Sequence, residues 1–181
     1  DAVNSILLGI GEAPVNTLGS GLQEAEIAEI TLNNISREVQ SVGWTFNTEI
    51  RYTLSKNEAG IINLPSNCLK VDTITVLREY KTDVVERSRK LYDRITNSFV
   101  FTNDIETDIV VLLDFEDLPE TARRYITLKA ARKYQENILG SSTLSQLQAD
   151  EETLALFALR EAETEAGDYS IDIPSNGWKI R

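Results

Sequence analysis

Residues able to carry out chemistry are scarce in this chain of 181 residues. It contains no histidine and one cysteine. Histidine is the commonest general base and a frequent ligand of transition metals, and thiolate metal sites need several cysteines. No GxxxxGK[ST] or GxGxxG phosphate loop occurs, and the short GIG and GSG pieces do not join a strand to a helix. The sequence therefore predicts no catalytic residue, no cofactor and no metal site, and it disfavours nucleotide binding.

Carboxylates are the potentially reactive side chains that this chain has in large number, with 29 Asp and Glu residues. Asp104, Glu106 and Asp108 alternate and could act as ligands of a hard cation, but a polar turn between the apolar runs SFVF and DIVVLLDF is the simpler interpretation. The sequence also leaves open the hypothesis of a catalytic acid pair like that of a glycosidase. It does not fix the distances between carboxylates, and nothing singles out one pair.

The balance of charge limits the partners that this chain can have. Its formal net charge is -11, with 41% apolar and 26% charged residues, which is typical of a soluble globular protein. An acidic surface repels phosphate, so tight DNA binding is disfavoured, whereas a surface that lets DNA slide past is allowed. No apolar stretch approaches the roughly 20 residues of a membrane span, and no signal peptide is evident. We expect a protein made in the cytosol, without a membrane partner, whose Cys68 is a buried and inert thiol.

Helical periodicity dominates the first part of the chain. Val3, Ile6, Leu7 and Ile10 predict a short helix that ends before Pro14. A second helix follows, ended by Gly43 in the left-handed cap position. Its predicted core stripe is Ala25, Ala28, Leu32, Ile35, Val39 and Val42. The opposite side carries Ile27 and Ile30, which either another layer of the fold or a neighbouring subunit must cover.

The middle of the chain has the character of β-structure. The runs TFNTEIRYTL, CLKVDTITVL, SFVF and DIVVLLDF predict about five to seven strands in an antiparallel sheet or small barrel, with a hairpin turn around Lys81–Asp83. Trp44 should pack at the seam between helices and sheet. A cluster of cations marks either a contact surface for an acidic partner or an ordinary exposed hairpin. It comprises Arg78, Lys81, Arg87, Arg89, Lys90 and Arg94.

Two further helices are predicted after Pro119. Helix three carries an apolar residue at every fourth position, namely Leu118, Ala122, Ile126, Ala130, Tyr134 and Ile138. Helix four is predicted to run from Thr143 to Gly167, with a stripe of Leu147, Leu154, Phe157, Ala158 and Ala162. The basic side of helix three should face the acidic side of helix four. Arg123 and Arg124 oppose the dipole at the start of helix three, a cost that a carboxylate from another helix or subunit could offset.

The last residues combine a lack of periodicity with considerable apolar mass. The segment DYSIDIPSNGWKIR contains Pro174 and Gly177, so it should not fold alone. Its apolar members are Tyr169, Ile171, Ile173, Trp178 and Ile180. We interpret this segment as an arm that docks onto its own domain or onto a neighbour.

The predicted fold class is α+β. It consists of a four-helix bundle-like helical part, residues 1–43 and 118–167, with an inserted antiparallel β-sheet or barrel part, residues 44–117. An extended C-terminal arm follows at residues 168–181.

Several strings of this sequence identify a family. They are AVNSILLGIGEAPVNTL, NNISREVQSVGWTFN and DFEDLPETARRYITLKAARKYQEN, followed by an acidic helix and a short aromatic tail. Together they resemble the tail tubular protein A family of short-tailed phages, the ring-forming adaptors between portal and tail nozzle. The resemblance implies a virion tail protein, assembled in the host cytoplasm, in a ring of twelve copies beneath the portal through which the genome passes without specific binding.

The resemblance also implies an orientation, in which the helices and tail face the portal while the β part faces the nozzle protein. Expected contacts with the portal or a neighbouring subunit are Ile27, Ile30, Arg123, Arg124, Tyr169, Ile171, Ile173, Trp178 and Ile180. Expected contacts on the nozzle side or between subunits are Arg78, Lys81, Arg87, Arg89 and Lys90. The free subunit is expected to be a monomer.

Two other classes of function stay open beside the structural adaptor. One is an acidic binding module that imitates DNA or inhibits a nuclease, which requires exposed helix-four carboxylates in a duplex-like array. The other is a carboxylate-dependent hydrolase, which requires a pocket with paired acids of raised pKa.

Overall fold

Along the sequence, two helices precede a β-rich segment and two further helices follow it. The computed structural model describes residues 2–8, 14, 23–73, 82–139 and 142–166, with the side chains of 138, 139 and 142–148 excepted. The helices are α1 (Ala2–Leu8), α2 (Gln23–Gln40), α3 (Glu120–Leu139) and α4 (Ser142–Ala166). The strands are β1 (Thr48–Leu54), β2 (Cys68–Asp72), β3 (Val84–Arg87), β4 (Lys90–Asp93) and β5 (Ile105–Val111). The predicted mixed α+β class is confirmed.

Helix α2 forms where the sequence predicts it. Glu24 and Glu26 lie in its first turn, where the helix dipole favours anions. Its buried stripe follows the predicted spacing from Ala25 to Val39, but Val42 is exposed. Gly43 ends the segment with φ of +86°, and a Cβ there would lie 2.9 Å from a methyl carbon of Val110. Only glycine fits this position without strain.

Helix α3 is the centre of the helical core, since it contacts each of the other three helices. Its predicted stripe is confirmed from Leu118 to Tyr134, while the side chain of Ile138 lies outside the described part. Tyr134 is fully buried, and its hydroxyl donates to the carbonyl of Glu24 at 3.1 Å. This bond satisfies a polar group that burial would otherwise penalise.

The predicted apolar stripe of helix α4 is wrong at Leu154, Phe157 and Ala158, whereas Ala162 is half-buried and the side chain of Leu147 lies outside the described part. Leu154 and Phe157 are 69% and 60% exposed, and Ala158 is exposed too. The residues that pack against the helical core are instead Ala155 and Leu159, which is 1% exposed. The helix is therefore rotated about its axis relative to the prediction.

The β part contains two antiparallel sheets within the described residues. Strands β1, β5 and β2 form one sheet in that order, and β3 pairs with β4 in the other. The SFVF run, predicted as a strand, makes only isolated bridges, such as that from Val100 to Ile61. The β3–β4 hairpin turns at Ser88 and Arg89, both with positive φ, as a two-residue loop of type I′ requires. The turn predicted at Lys81–Asp83 lies partly outside the described residues.

Two hydrophobic clusters fill the interior. The helical cluster includes Trp44, whose burial was predicted, and the second lies among the strands and includes Cys68. Leu113 packs against both clusters. Burial raises the pKa of the Cys68 thiol, with a smaller contribution from Glu86, which agrees with an unreactive cysteine.

Two buried amides join the helical and β parts. Gln40, at the end of α2, is fully buried; its carbonyl oxygen accepts from the Leu113 amide at 2.8 Å, and its NH2 donates to the Leu113 carbonyl at 3.0 Å. Asn47 donates to the carbonyls of Gln40 and Val111, both at 2.9 Å, and accepts from the Trp44 amide at 2.8 Å. We call Gln40 and Asn47 the amide junction. It ties the end of α2 to the end of β5.

Replacing Asn47 should destabilise the protein strongly. Asn47→Ala removes three hydrogen bonds, those to the Trp44 amide and to the Gln40 and Val111 carbonyls, although the Gln40 carbonyl still accepts from the Gly43 amide. The loss should lower the free energy of unfolding by about 3 kcal/mol. Urea denaturation followed by circular dichroism measures this. Asn103→Ala, at an exposed loop position, is the matched control and should change stability by less than about 0.5 kcal/mol. Equal effects of the two substitutions would contradict the role of the junction.

Two leucines of α4 test its rotation. Leu159→Ala should cost about 2 to 4 kcal/mol because it opens a cavity in the helical core, whereas Leu154→Ala should change stability by less than about 0.5 kcal/mol. Thermal and chemical denaturation of both variants provides the measurement. A larger loss for Leu154→Ala would restore the stripe predicted from sequence.

Candidate interaction surfaces

The described chain presents no obvious reaction centre. No group of three or more potential metal ligands occurs among the described residues, and no described helix is both long and apolar enough to cross a membrane. Two of the three alternating acids accept hydrogen bonds from the backbone. Asp104 accepts from the Lys56 amide at 3.0 Å, and Asp108 accepts from the Arg51 amide at 2.9 Å. Both carboxylates hold the β1 segment against β5.

The predicted patch on α2 is exposed. Ile27 is 37% exposed and Ile30 is 59% exposed. They follow the buried positions Ala25 and Ala28 by two residues, which places them on the opposite side of the helix. Two branched apolar side chains thus lie on an outward face near the start of α2.

The arginines at the start of α3 differ in their contacts. Arg123 pairs with Glu120 of the same helix at 2.6 Å, one turn away. Among the described residues, the carboxylate that pairs with Arg123 therefore comes from α3 itself. Arg124 is exposed. An exposed pair of this kind contributes less than about 1 kcal/mol.

The cations of the β3–β4 hairpin divide into two groups. The Arg87 guanidinium lies 3.8 Å from the centre of the Tyr92 ring. The Phe99 ring packs edge-on against the same ring, with 4.8 Å between the two ring centres. Lys90 is opposite Arg87 in the pairing register and is partly buried. We call Arg87, Lys90, Tyr92 and Phe99 the hairpin surface. The Tyr92 ring is buried beneath the cations, and Phe99 is the exposed aromatic member. Cations beside an aromatic side chain are common in protein interfaces.

Arg89, predicted with them as a contact residue, makes bonds within the chain. Its guanidinium donates to the carbonyl of Cys68 at 2.8 Å and to that of Pro65, and it lies 3.4 Å from a carboxylate oxygen of Glu86. These contacts hold the hairpin turn against β2. Arg78 and Lys81 lie outside the described residues.

A carboxylate anchors the loop that carries Phe99. Asp93 is buried at the end of β4, and its oxygens accept from the Ile95 amide at 2.9 Å and from the Thr96 hydroxyl at 2.8 Å. Burial by itself would raise the pKa of Asp93, but the hydrogen bonds to Ile95, Thr96 and Asp83 outweigh it and lower the pKa. The ionised form therefore stabilises this loop.

Ion pairs connect three helices. Lys129 of α3 donates to Glu38 of α2 at 2.9 Å, and Arg132 of α3 donates to Glu152 of α4 at 2.5 Å and to Glu136 at 2.7 Å. The predicted ion pairing of α3 with α4 is thus confirmed at Arg132, whereas Lys129 pairs with a carboxylate of α2. Burial would lower the pKa of Lys129, but the hydrogen bond to Glu38 outweighs it and raises that pKa.

A groove lies where α2, α3 and α4 approach one another. Its volume is about 260 Å³. The walls are apolar at Val42, Trp44, Tyr125 and Leu156. The charged lining residues are Glu38, Lys129 and Arg160. We call this the α2–α4 groove.

Sequence reasoning missed a further surface on α4. Leu154 and Phe157 are exposed one turn apart, with Asp150, Glu151 and Glu161 also exposed on this helix. We call these five residues the α4 outer face, which is apolar and acidic. The density of carboxylates along α4 was visible in sequence, but the wrong stripe assigned its leucine and phenylalanine to the core.

The predicted C-terminal arm follows the last described residue of the chain. Tyr169, Ile171, Ile173, Trp178 and Ile180 lie outside the described residues. The described chain ends at Ala166, one turn after Glu163, whose carboxylate accepts from the Thr45 hydroxyl at 2.6 Å.

Comparison with known proteins identifies the family. A family model described as tail tubular protein matches residues 1–169. The chain belongs to the tail tubular protein family. A relative named tail tubular protein A, from Klebsiella phage KP34, is 28% identical over 162 residues, which is 89% of this chain and 84% of the relative. The family resemblance seen in the sequence is confirmed, and a structural role in a phage tail follows from the membership.

The carboxylate under the hairpin surface of this tail tubular protein gives stability a defined pH dependence. Because the pKa of Asp93 is lower in the folded state than in the unfolded chain, its stabilisation is present at neutral pH and is lost as pH falls through the folded-state pKa. Asp93→Asn should therefore cost about 1 to 2 kcal/mol at pH 7 and progressively less below about pH 4.

Urea denaturation of both proteins from pH 7 to pH 3 provides the measurement. Asp150→Asn, at an exposed position of α4, is the control and should match the parent protein at pH 7. A loss for Asp93→Asn that stays constant down to pH 3 would contradict the assignment.

Proposed function

We propose that this chain is the adaptor subunit that joins the phage portal to the tail nozzle. The observation that carries the proposal is the tail tubular family match over residues 1–169. In this proposal twelve copies form a ring in the virion tail, and the genome passes through its lumen during packaging, retention and ejection. Assembly takes place in the host cytoplasm.

Two surfaces of unlike chemistry support a closed ring. Heterologous contacts require that two different patches on one subunit complement each other. The α4 outer face is apolar and acidic, whereas the hairpin surface is cationic and aromatic. Contact between them, from one copy to the next, would pair opposite charges and remove Leu154 and Phe157 from water. The lumen would then be acidic on balance, given the net charge of -11, and would not retain DNA.

The organisation that we propose has three parts. Residues 1–43 and 118–167 form a four-helix bundle-like part, residues 44–117 form an inserted sheet or barrel part, and residues 168–181 form the arm. The α2 patch of Ile27 and Ile30, together with Arg123, Arg124 and the arm, faces the portal or a neighbouring subunit. The β part, including Arg78, Lys81, Arg87, Arg89 and Lys90, faces the nozzle protein or a neighbour.

A non-catalytic structural role fits the site chemistry better than the alternatives. Glu152 and Glu163 of α4 bind Arg132 and Thr45 of the same chain, so they are not free to join the exposed carboxylate array that a DNA mimic needs. The described acids Asp104 and Asp108 hold backbone amides. The absence of histidine from the whole chain removes the commonest general base.

Binding to the portal tests this proposal. The purified chain is expected to run as a monomer in light scattering and to co-elute with purified portal rings of the same phage, adding the mass of about twelve copies as the ring symmetry requires. A chain ending after Gly167 should lose this association because it lacks the arm. As a control for the truncation, Leu8→Ser, at an exposed position of α1, should retain it.

Two results would contradict the proposal at different points. No mass increase with the full chain would overturn the adaptor function. A stable ring formed by the chain alone at micromolar concentration would overturn only the order of assembly, in which the monomer meets the portal first.

A further inference from the structure

We propose that residues 168–173 of the arm fold back into the α2–α4 groove of the same chain. The inference concerns the free subunit and does not depend on the adaptor function. It rests on the chemistry of the groove, on where the described chain ends, and on the residue pattern of the segment that follows.

The groove has the chemistry of a site for a short segment that is both apolar and acidic. Trp44, Tyr125 and Leu156 supply apolar wall. Lys129 carries a positive charge at the groove and pairs with Glu38, whereas Arg160 is exposed and makes no ion pair with a described carboxylate. An acidic side chain placed beside Arg160 would therefore gain a partner without displacing one.

The chain leaves α4 beside this groove. Glu163 accepts from the backbone amide and the hydroxyl of Thr45, the neighbour of Trp44 in the groove wall. Helix α4 ends three residues later at Ala166. Arg160 and Leu156 then lie about 9 Å and 15 Å back along the helix, at 1.5 Å per residue.

The arm sequence matches these distances. Gly167 follows Ala166 directly, and glycine is the residue that most readily reverses the chain after a helix. Counted from the reversal at Gly167, an extended segment advances about 3.3 Å per residue, so Ile171 lies about 13 Å back along α4. On the same count Arg160 and Leu156 lie about 11 Å and 17 Å back, so Ile171 falls between their levels.

The alternation of residues in the arm gives it two faces. Tyr169, Ile171 and Ile173 lie on one side of an extended segment, and Asp168 and Asp172 lie near its other side. The apolar side matches the groove wall, and an aspartate at the edge of the segment would meet Arg160, whereas Lys129 is already neutralised by Glu38 of the groove. The arm of a second copy is a less favourable occupant of the groove. The arm of the same chain begins beside the groove, so its docking does not cost the entropy of bringing two molecules together.

Cysteine pairs on the intact chain test this docking. In a Cys68→Ala background, Leu156→Cys and Ile171→Cys should form an intramolecular disulfide under mild oxidation, since bridged cysteines need Cα atoms within about 7 Å. The matched control combines Leu154→Cys with Ile171→Cys. Leu154 is two residues away on the outer side of the same helix, so we expect at least a tenfold slower crosslink. Non-reducing electrophoresis and intact mass give the rates.

Each outcome of the crosslinking decides the question. A fast crosslink at monomer mass for Leu156→Cys, and not for Leu154→Cys, supports the inference. Equal rates for the two pairs, no crosslink in either, or a crosslink found only at dimer mass would each overturn it.

A second measurement does not depend on introduced cysteines. Trp178→Phe leaves Trp44 as the one tryptophan of the chain. Ending that variant after Gly167 should then at least double the acrylamide quenching constant of Trp44, because the arm no longer covers the groove. Unchanged quenching with a preserved circular dichroism spectrum would overturn the inference, whether or not the chain binds a portal.

Discussion

The requirement that buried polar groups find partners determines how the two parts of this protein are joined. Gln40 and Asn47 are almost completely buried, and the carbonyls and amides that they contact belong to the end of α2, the residues after it and the end of β5. A hydrogen-bonded amide tolerates little displacement, because each lost bond leaves a buried group unsatisfied. The amide junction therefore fixes the end of α2 relative to β5 more strictly than apolar packing would.

The other contacts build outward from this junction. Trp44 follows the Gly43 cap, packs in the helical cluster and donates its ring N–H to the Val39 carbonyl at 2.8 Å. Thr45 then binds Glu163, which ties the last turns of α4 to the same place. The α2–α4 groove lies beside these residues, so its shape depends on the junction. For an adaptor, such a connection would keep the surfaces of the helical and β parts at fixed positions on one frame.

Much of this fold could be predicted from sequence because one long apolar stripe marks the buried side of α2 and another that of α3. Helix α4 could not, because its run LALFAL is so rich in apolar residues that two different stripes fit it. The true stripe uses Ala155 and Leu159, and a small alanine allows the close helix packing that a prediction based on residue size overlooks. The junction was missed for a different reason: Gln40 and Asn47 are polar, and burial of a polar residue leaves no periodic signal.

The candidate surfaces were predictable to unequal degrees. The exposed position of Ile27 and Ile30 follows from helical spacing alone, and the basic character of the hairpin is evident from composition. The separate role of Arg89 was not predictable, since it depends on a left-handed turn that brings the guanidinium to the carbonyls of Pro65 and Cys68. The α4 outer face became visible only once the rotation of that helix was known.

Cryo-electron microscopy of the assembled virion tail tests the adaptor assignment most directly. The account predicts a ring of this chain immediately below the portal, with the helical part toward the portal, the strands toward the nozzle and the channel open through its centre. A tail in which the portal contacts the nozzle without this chain between them, or in which the chain occupies a peripheral position outside the channel, would contradict it.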